Sequence, residues 1–304
     1  MVHSSRRSVA LGLGGLLGLA ACGGPRQDPN TPPSRTDHRA LLAWAIGGRW
    51  RIDPERDMWR HPTETLTFWG LRPGMTVLEL FPGQGWLTCI LAPYLAASGG
   101  RLIVAHPPID PSNAAQSVVD EAFVQRFGSE PDLFGAIEQL ALTADDIPLA
   151  LPDTIDLAIC ARNVHTLMAL GMAEIAFAKV FAALKPQGVL GIEQHRGSSA
   201  GVQDPAAANG YVQEAFVKTL VQGAGFAFVG STDVNANPRD TRDHPFGVWT
   251  LPPVLRSAPI GQPDDPDFDR QTYVAIGESD RMTLKFNKPG VAQPATAEEE
   301  TKGG

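Results

Sequence analysis

Two histidines near the ends of neighbouring apolar segments are the strongest candidates for proton transfer in this sequence. His165 follows the apolar run that ends at Cys160, His195 closes the next run, and Asn163 and Glu193 stand beside them. If both runs are parallel strands, their carboxyl ends meet at one edge of a sheet, where α/β folds bind ligands. Histidine suits acid–base work because its pKa lies near working pH. We predict a catalytic site of these four residues; the alternative is that each histidine is a loop residue hydrogen-bonded to backbone.

A metal site is a second hypothesis for the same part of the chain. Imidazole nitrogens and carboxylate oxygens together suit zinc or manganese. No pair of these residues has a diagnostic spacing such as His-x-x-x-His, so we assign no metal ligand from the sequence. The residues of ligand type are His165, His195, Glu193, Asp243 and His244.

A glycine turn joins the first buried apolar segment to a helical segment. Val77–Leu80 has the pattern of a strand buried on both faces, and a segment of helical periodicity begins at Trp86. Gly83 and Gly85 allow a ligand to approach the backbone and the free N–H groups of the helix N-terminus. Glu79 is an ionisable residue inside an apolar strand, and charges are rarely buried without a function. We predict a small-molecule site at this turn; the alternative is a turn that only packs.

Strands and helices alternate between residues 37 and 289. This order predicts an α/β fold: a doubly wound, mostly parallel, seven-stranded Rossmann-like sheet whose last two strands are antiparallel at one edge. The predicted strands are 77–80, 102–105, 137–142, 155–160, 189–193, 226–234 and 282–287, and the predicted helices are 38–47, 61–70, 86–96, 112–127, 169–184 and 211–223.

The N-terminus has the pattern of an export signal. Arg6 and Arg7 precede an apolar run too short to span a bilayer, and residues 19–23 resemble a bacterial lipobox with Cys22 as the lipidated residue. The arginine pair also resembles a twin-arginine signal. We expect a signal peptide over 1–21, a flexible tether over 22–36, one domain over 37–289 and a disordered tail over 290–304. The protein is then anchored to a bacterial membrane and faces the periplasm, with the outer membrane favoured.

The charge of the chain bears on its partners, and the positions of its cysteines bear on whether they form a disulfide. The formal net charge is −8, and it becomes −10 when residues 1–21 are removed. An acidic chain of this kind speaks against nucleic acid as the main partner. Cys89 and Cys160 fall on a predicted helix and a predicted strand, so we expect two buried thiols; a disulfide is the alternative.

The motifs between Thr63 and Lys288 resemble those of the class I S-adenosylmethionine-dependent methyltransferases. The matching segments are Val77–Gly85, Asp145–Asp146, Asp156–Leu157, Leu184–Leu190 and Gly225–Phe226. More narrowly, the chain resembles a group of uncharacterised bacterial predicted methyltransferases in the segments Arg162–His165, Glu193–Arg196, Asn235–Pro238, Asp243–Pro245 and Gly277–Arg281.

This resemblance implies methyl transfer from S-adenosylmethionine to a small-molecule acceptor. Phe81 stands where the family's first glycine is usual, and His106 stands where an acidic residue usually ends the second strand. Because the enzyme aligns an acceptor with the sulfonium methyl and takes up its proton, we predict His165 as general base or acceptor-orienting group. The predicted cofactor-binding residues are Glu79, Phe81, Gly83, Gly85, His106, Asp145, Asp146 and Asn163.

Two matters stay open in the sequence. The segment 235–250 is either a lid over the crevice or a surface loop held by Arg–Asp pairs, and Gly277–Arg281 either orders the edge strand or reaches the site. A rival function is a methyltransferase-like fold reused as a non-catalytic periplasmic protein that binds a small molecule or a metal, which Phe81 and His106 favour.

Overall fold

The computed structural model describes residues 30–107 and 114–290. The predicted signal peptide, Cys22, most of the predicted tether and nearly all of the predicted tail lie outside these ranges. Within them, no helix combines the length and the apolar character that crossing a membrane requires.

A seven-stranded sheet forms the centre of the domain, in the order β3-β2-β1-β4-β5-β7-β6. Strands β1 to β5 are parallel, and β7 runs antiparallel between β5 and β6. The predicted doubly wound sheet with a reversed strand at one edge is therefore confirmed. The strands are β1 Thr76–Leu80, β2 Arg101–His106, β3 Ile137–Ala141, β4 Ile155–Ala161, β5 Leu184–His195, β6 Ala227–Thr232 and β7 Arg281–Asn287.

Helices cover both faces of this sheet. They are α1 His38–Ile46, α2 Asp57–Arg60, α3 Pro62–Trp69, α4 Thr88–Ser98, α5 Ala114–Gly128, α6 Pro131–Phe134, α7 Val164–Ala169, α8 Ala173–Ala183, α9 Glu214–Gly223 and α10 Arg270–Ile276. Short 3-10 turns occur at Pro54–Arg56 and Gly247–Thr250.

Two apolar layers hold the sheet between the helices. Successive residues of β1 point to opposite faces, so Val77 packs in the layer with α1 and α4, and Leu78 packs in the layer with α7 and α8. Cys89 and Cys160 are separate buried thiols, as predicted, and burial raises their pKa values to about 11 and about 12.

The predicted helix 169–184 corresponds to α8, and a separate short helix, α7, precedes it. α7 ends at Ala169, Gly171 adopts a φ of +66°, and α8 begins at Ala173. Because a left-handed residue cannot continue an α-helix, the chain turns at the glycine. Because α7 begins at Val164, His165 lies in the first turn of this helix, shortly after the end of β4.

Candidate functional site

A cleft of about 450 Å³ opens at the carboxyl ends of β1 and β4, where the strand order reverses. We call it the Glu79 chamber. Four of the predicted cofactor-binding residues line it: Glu79, Phe81, Gly83 and Asn163. Doubly wound sheets bind ligands at this switch point, so the location agrees with the sequence prediction.

Glu79 lies in β1 with 4% of its surface exposed. The hydroxyl of Thr88, the first residue of α4, donates a 2.7 Å hydrogen bond to its Oε2. Burial raises the pKa of Glu79 to about 7, although the Thr88 hydrogen bond and the Arg162 charge act in the opposite direction. Loss of hydration is the largest effect because it disfavours the carboxylate relative to the acid. Glu79 is therefore a buried carboxyl group that changes charge near neutral pH.

The two glycines of the turn have different surroundings. Gly83 has a φ of +57°, and a Cβ built there meets no atom within 4 Å, so its backbone is open to the cleft. Gly85 has a φ of +87°, and a Cβ built there would lie 2.5 Å from the ring of Phe127 in α5. Gly85 does not line the chamber, so the structure gives this glycine a packing reason, and its contact with a ligand stays a prediction.

Phe81 has a left-handed backbone conformation of the kind that favours glycine. Its φ is +52°, its N–H donates to the carbonyl of Ala105 over 2.8 Å, and its own carbonyl accepts a 2.9 Å hydrogen bond from Nδ2 of Asn163. The same Nδ2 also donates to the carbonyl of Ala161. These bonds hold the end of β1 beside the end of β4 and fix the strained turn. The ring of Phe81 belongs to the apolar core, and 5% of the residue is exposed.

His106, Asp145 and Asp146 do not line the chamber, contrary to the prediction. The His106 ring packs edge-to-face on Phe123 of α5, and its Nε2 contacts Oε1 of Gln139 at 3.1 Å. Asp145 is exposed and accepts hydrogen bonds from its own loop and from Lys179. Asp146 is exposed in that loop as well. Packing of α5 over the end of β2 and local loop bonding explain these three positions.

A second cavity of about 220 Å³ adjoins the Glu79 chamber and contains both predicted histidines. We call it the histidine chamber. The ring centres of His165 and His195 lie 5.4 Å apart, and the ring centre of Trp249 lies 5.9 Å from that of His165. Nδ1 of His195 lies 2.5 Å from Oγ of Ser279, which fixes that ring. The sequence prediction that these two histidines meet at adjacent strand ends is confirmed.

Gln194 orients His165 and was not predicted from the sequence. Its Oε1 accepts from the Val164 N–H, and its Nε2 donates to the Gly210 carbonyl over 2.8 Å, so the amide orientation is fixed. The amide then contacts Nδ1 of His165. Burial lowers the pKa of both histidines below the ordinary value, and His195 is lowered further by the charges of His165 and nearby arginines. Both rings are neutral at pH 7.

Glu193 is held in ion pairs and does not line either chamber, which corrects its predicted catalytic role. Its Oε2 lies 2.7 Å from Arg162, and its Oε1 lies 3.1 Å from Arg281. Arg281 also contacts Glu278 at 2.8 Å. Asn163 borders the Glu79 chamber but not the histidine chamber, and its amide bonds to backbone. Of the four predicted catalytic residues, only His165 and His195 face the second cavity.

Arg56 and Arg60, from the segment that precedes β1, complete the site, and no local pattern in the sequence indicates them. Nε of Arg56 lies 2.6 Å from Oε1 of Glu278, and Nε of Arg60 lies 3.1 Å from Oε2. Three guanidinium groups surround the ring of Trp86, those of Arg51, Arg60 and Arg162, at 4.6–5.7 Å from its centre. Glu278 and Ser279 therefore line the histidine chamber, whereas Arg281 begins β7 and pairs with Glu193 and Glu278, so both alternatives for 277–281 apply.

The segment 235–250 is anchored at its start and contributes to the cavity wall at its end. The Asn235 amide donates to Thr65 and Thr283, and the Asp240 carboxylate accepts from Tyr211 and lies 2.8 Å from Nε2 of His244. Val248 and Trp249 line the histidine chamber.

The metal hypothesis finds no assembled ligand set in the described ranges. Asp243 accepts from Thr241, and His244 pairs with Asp240 away from the histidine chamber. Within residues 30–107 and 114–290, there is no group of three or more His, Cys, Asp or Glu side chains in a geometry suited to a metal ion.

Solved structures similar to this chain include methyltransferases and a cyclase. The Aquifex aeolicus S-adenosylmethionine-dependent methyltransferase is 20% identical, with 60% of this chain and 88% of that chain covered and a TM-score of 0.46. The 4+2 cyclase SpnF is 16% identical, with 81% and 86% covered and a TM-score of 0.51. A Burkholderia thailandensis N1-methyltransferase with bound S-adenosylhomocysteine is 15% identical, with 77% and 79% covered and a TM-score of 0.44.

This chain has the class I methyltransferase fold. No protein-family model and no curated protein matches it. One neighbour is described as a cyclase, so the fold by itself leaves the reaction to be argued from the site.

Proposed function

We propose that this protein binds S-adenosylmethionine in the Glu79 chamber and transfers its methyl group to a small molecule in the histidine chamber. The observation that carries the proposal is the continuity of the two chambers. Arg56, Arg60 and Arg162 line both of them, so ligands in the two spaces approach each other at these side chains. The open Gly83 turn and the buried Glu79 carboxyl stand on one side, and two neutral histidines stand on the other.

The side of the chamber formed by the Gly83 turn and the start of α4 is suited to holding the cofactor. The backbone at Gly83 is free of neighbours, and Gln84 beside it is exposed, so a ligand has access to the turn and to the start of α4. Glu79 offers a carboxylate acceptor at the same place. The residues predicted for the ribose and the adenine, His106 and Asp145–Asp146, face elsewhere. Residues 108–113 lie outside the described ranges.

The cofactor supplies the electrophilic methyl group, and the protein supplies orientation and a proton acceptor. His165 and His195 stay unprotonated at pH 7 because burial disfavours their charged forms. A neutral imidazole accepts the proton that leaves the acceptor atom on methylation. Gln194 and Ser279 hold the two rings in place, so little reorientation is needed when the acceptor binds.

Export as a lipoprotein is part of the proposal and rests on the sequence alone. The short apolar run and the small residues before Cys22 favour cleavage and lipidation at that cysteine. The expected location is the periplasmic face of a bacterial membrane. Mass spectrometry of the protein's N-terminal peptide tests it: a diacylglyceryl group on Cys22 is expected, and an unmodified Met1 contradicts the proposal.

Calorimetric titration with S-adenosylmethionine and S-adenosylhomocysteine tests cofactor binding. We expect micromolar affinity that Glu79→Gln weakens at least tenfold. Glu138→Gln is the matched control, because Glu138 lies on β3 with an exposed carboxylate paired to Arg101. Equal affinity in the two variants contradicts the role of Glu79.

The second candidate function is a non-catalytic binding protein built on the same fold. The observation that favours it is the position of Gly85, His106, Asp145 and Asp146 outside the chamber. Correctly folded protein that binds neither cofactor form supports this candidate. Cofactor binding together with methyl transfer to an added acceptor excludes it.

A further inference from the structure

At and beside the boundary between the two chambers, four guanidinium groups form ion pairs with three carboxylates. The guanidinium groups are those of Arg56, Arg60, Arg162 and Arg281, and the carboxylates paired with them are those of Glu193 and Glu278. Asp53 adds a partly exposed carboxylate 3.8 Å from Arg56, and Glu79 adds a carboxyl group whose pKa is raised by burial to about 7. Buried like charges are costly unless something in the functional state offsets them.

Arg60 is the centre of this group. It is 5% exposed, and its Nε is committed to Glu278. Its guanidinium lies over the ring of Trp86, 4.6 Å from the ring centre, and within the described ranges its two terminal nitrogens donate no hydrogen bond, although the residue lines both cavities. Burial and the charge of Arg162 lower its pKa well below the ordinary value. A buried guanidinium with two free donors on one edge is suited to a planar or tetrahedral oxyanion, which it binds through two parallel hydrogen bonds.

The histidine chamber also has apolar lining residues, Val248, Trp249, Pro252 and Val254. The ring centre of Trp249 lies 5.9 Å from that of His165. A ligand that fills this space therefore has an anionic group at Arg60 and an apolar body against Trp249.

We propose that the histidine chamber binds the carboxylate or phosphate group of a small acid with an apolar body, which under the proposed function is the methyl acceptor. Arg60 and Arg162 hold the anionic group, and the histidines face the part of the acid that is methylated. The inference about the acceptor rests on the proposed function, whereas anion binding itself does not.

Binding of benzoate, of its neutral counterpart benzamide and of inorganic phosphate to the full-length protein in detergent tests the proposal. Calorimetry is carried out without cofactor and again with saturating S-adenosylhomocysteine. We expect benzoate and phosphate to bind in both states, and benzamide to bind at least tenfold more weakly than benzoate. Methyl transfer to the acid is not needed for this readout, so anion binding in protein that does not bind S-adenosylhomocysteine upholds the anion site and contradicts only the cofactor proposal.

Two variants and a control locate the anion. Arg60→Met keeps an apolar stem but removes the guanidinium, and it is expected to weaken benzoate at least tenfold. Arg60→Lys keeps the charge beside Glu278 but loses the paired donors, so an intermediate affinity is expected in a variant that folds. Arg239→Met is the control, because Arg239 is exposed and its guanidinium lies over Trp59 outside both chambers.

Two results overturn the proposal. One is benzoate affinity that is the same in Arg60→Met, Arg60→Lys and Arg239→Met. The other is mutual displacement of benzoate and S-adenosylhomocysteine, which assigns the arginines to the carboxylate of the cofactor instead.

Discussion

Thr88 Oγ1 and Glu79 Oε2 lie 2.7 Å apart and join the first turn of α4 to the middle of β1. The hydroxyl is fully buried, so water does not replace it when it is removed. The bond therefore both positions the carboxyl group below the Gly83 turn and stabilises its ionised form.

Replacing Thr88 by valine keeps the shape of the side chain and removes the donor. We expect a loss of about 1–3 kcal/mol in the free energy of unfolding, because a buried carboxyl oxygen is left without its partner. The loss is larger at pH 8 than at pH 5, since Glu79 is ionised only at the higher pH. Urea denaturation at the two pH values measures it, and Thr67→Val on the exposed face of α3 is the control. An equal loss at both pH values contradicts the link to Glu79.

Glu79 makes stability depend on pH in a definite direction. Its pKa is raised to about 7 from an ordinary value of 4.5, so the unfolded chain releases the proton first. Glu79 therefore adds about 3 kcal/mol to the free energy of unfolding below pH 4.5, and this contribution is lost as the pH rises to about 7. Glu79→Gln is expected to remove this decline. Denaturation curves from pH 4.5 to 8 check the prediction, and an unchanged pH profile contradicts it.

His195 produces the opposite dependence. Its pKa lies well below the ordinary 6.5, so below pH 6.5 the unfolded chain takes up a proton that the folded protein does not. Its contribution to stability is complete above pH 6.5 and declines as the pH falls. The imidazole shifts of His195 in a nitrogen-15 NMR spectrum at pH 6 are expected to be those of a neutral ring. A ring that titrates near 6.5 in the folded protein contradicts the prediction.

The two glycines of the turn offer a matched pair of alanine variants. Gly85→Ala places a Cβ 2.5 Å from Phe127 at a φ of +87°, so we expect a loss of stability of about 2–4 kcal/mol from crowding and backbone strain. Gly83→Ala meets no neighbour within 4 Å, so the expected loss is about 1 kcal/mol, from backbone strain alone. Affinity for S-adenosylhomocysteine is expected to fall in Gly83→Ala, because the Cβ enters the cleft. Thermal unfolding and calorimetry separate the two effects, and an identical loss of stability in both variants contradicts the assignment.

The parts of the site that sequence reasoning predicted correctly are those set by local order along the chain. The buried strand before Gly83 and the approach of His165 to His195 follow from βαβ topology, because consecutive parallel strands end at the same edge. Gly85 and His106 were assigned to the ligand because nothing in their local pattern reveals that α5 packs over them.

The arginines were missed for a different reason. Arg56 and Arg60 are separated from Glu278 by 222 and 218 residues, and no periodicity or motif connects positions so far apart. These charges come together only because the segment that contains Arg56 and Arg60 packs against the loop before β7. The type of a residue is visible in the sequence, but a charge network made from three distant segments is not.

The ion pairs of Glu278 have a consequence for synthesis of the protein. The segment with Arg56 and Arg60 leaves the ribosome early, whereas its acidic partner is made only after more than two hundred further residues. Until then these two arginines have no buried carboxylate to join, and the cleft stays incomplete. A nascent chain therefore completes its ligand site late in synthesis. A product truncated before residue 278 contains the glycine turn and both histidines but lacks Glu278, the carboxylate that pairs with Arg56 and Arg60.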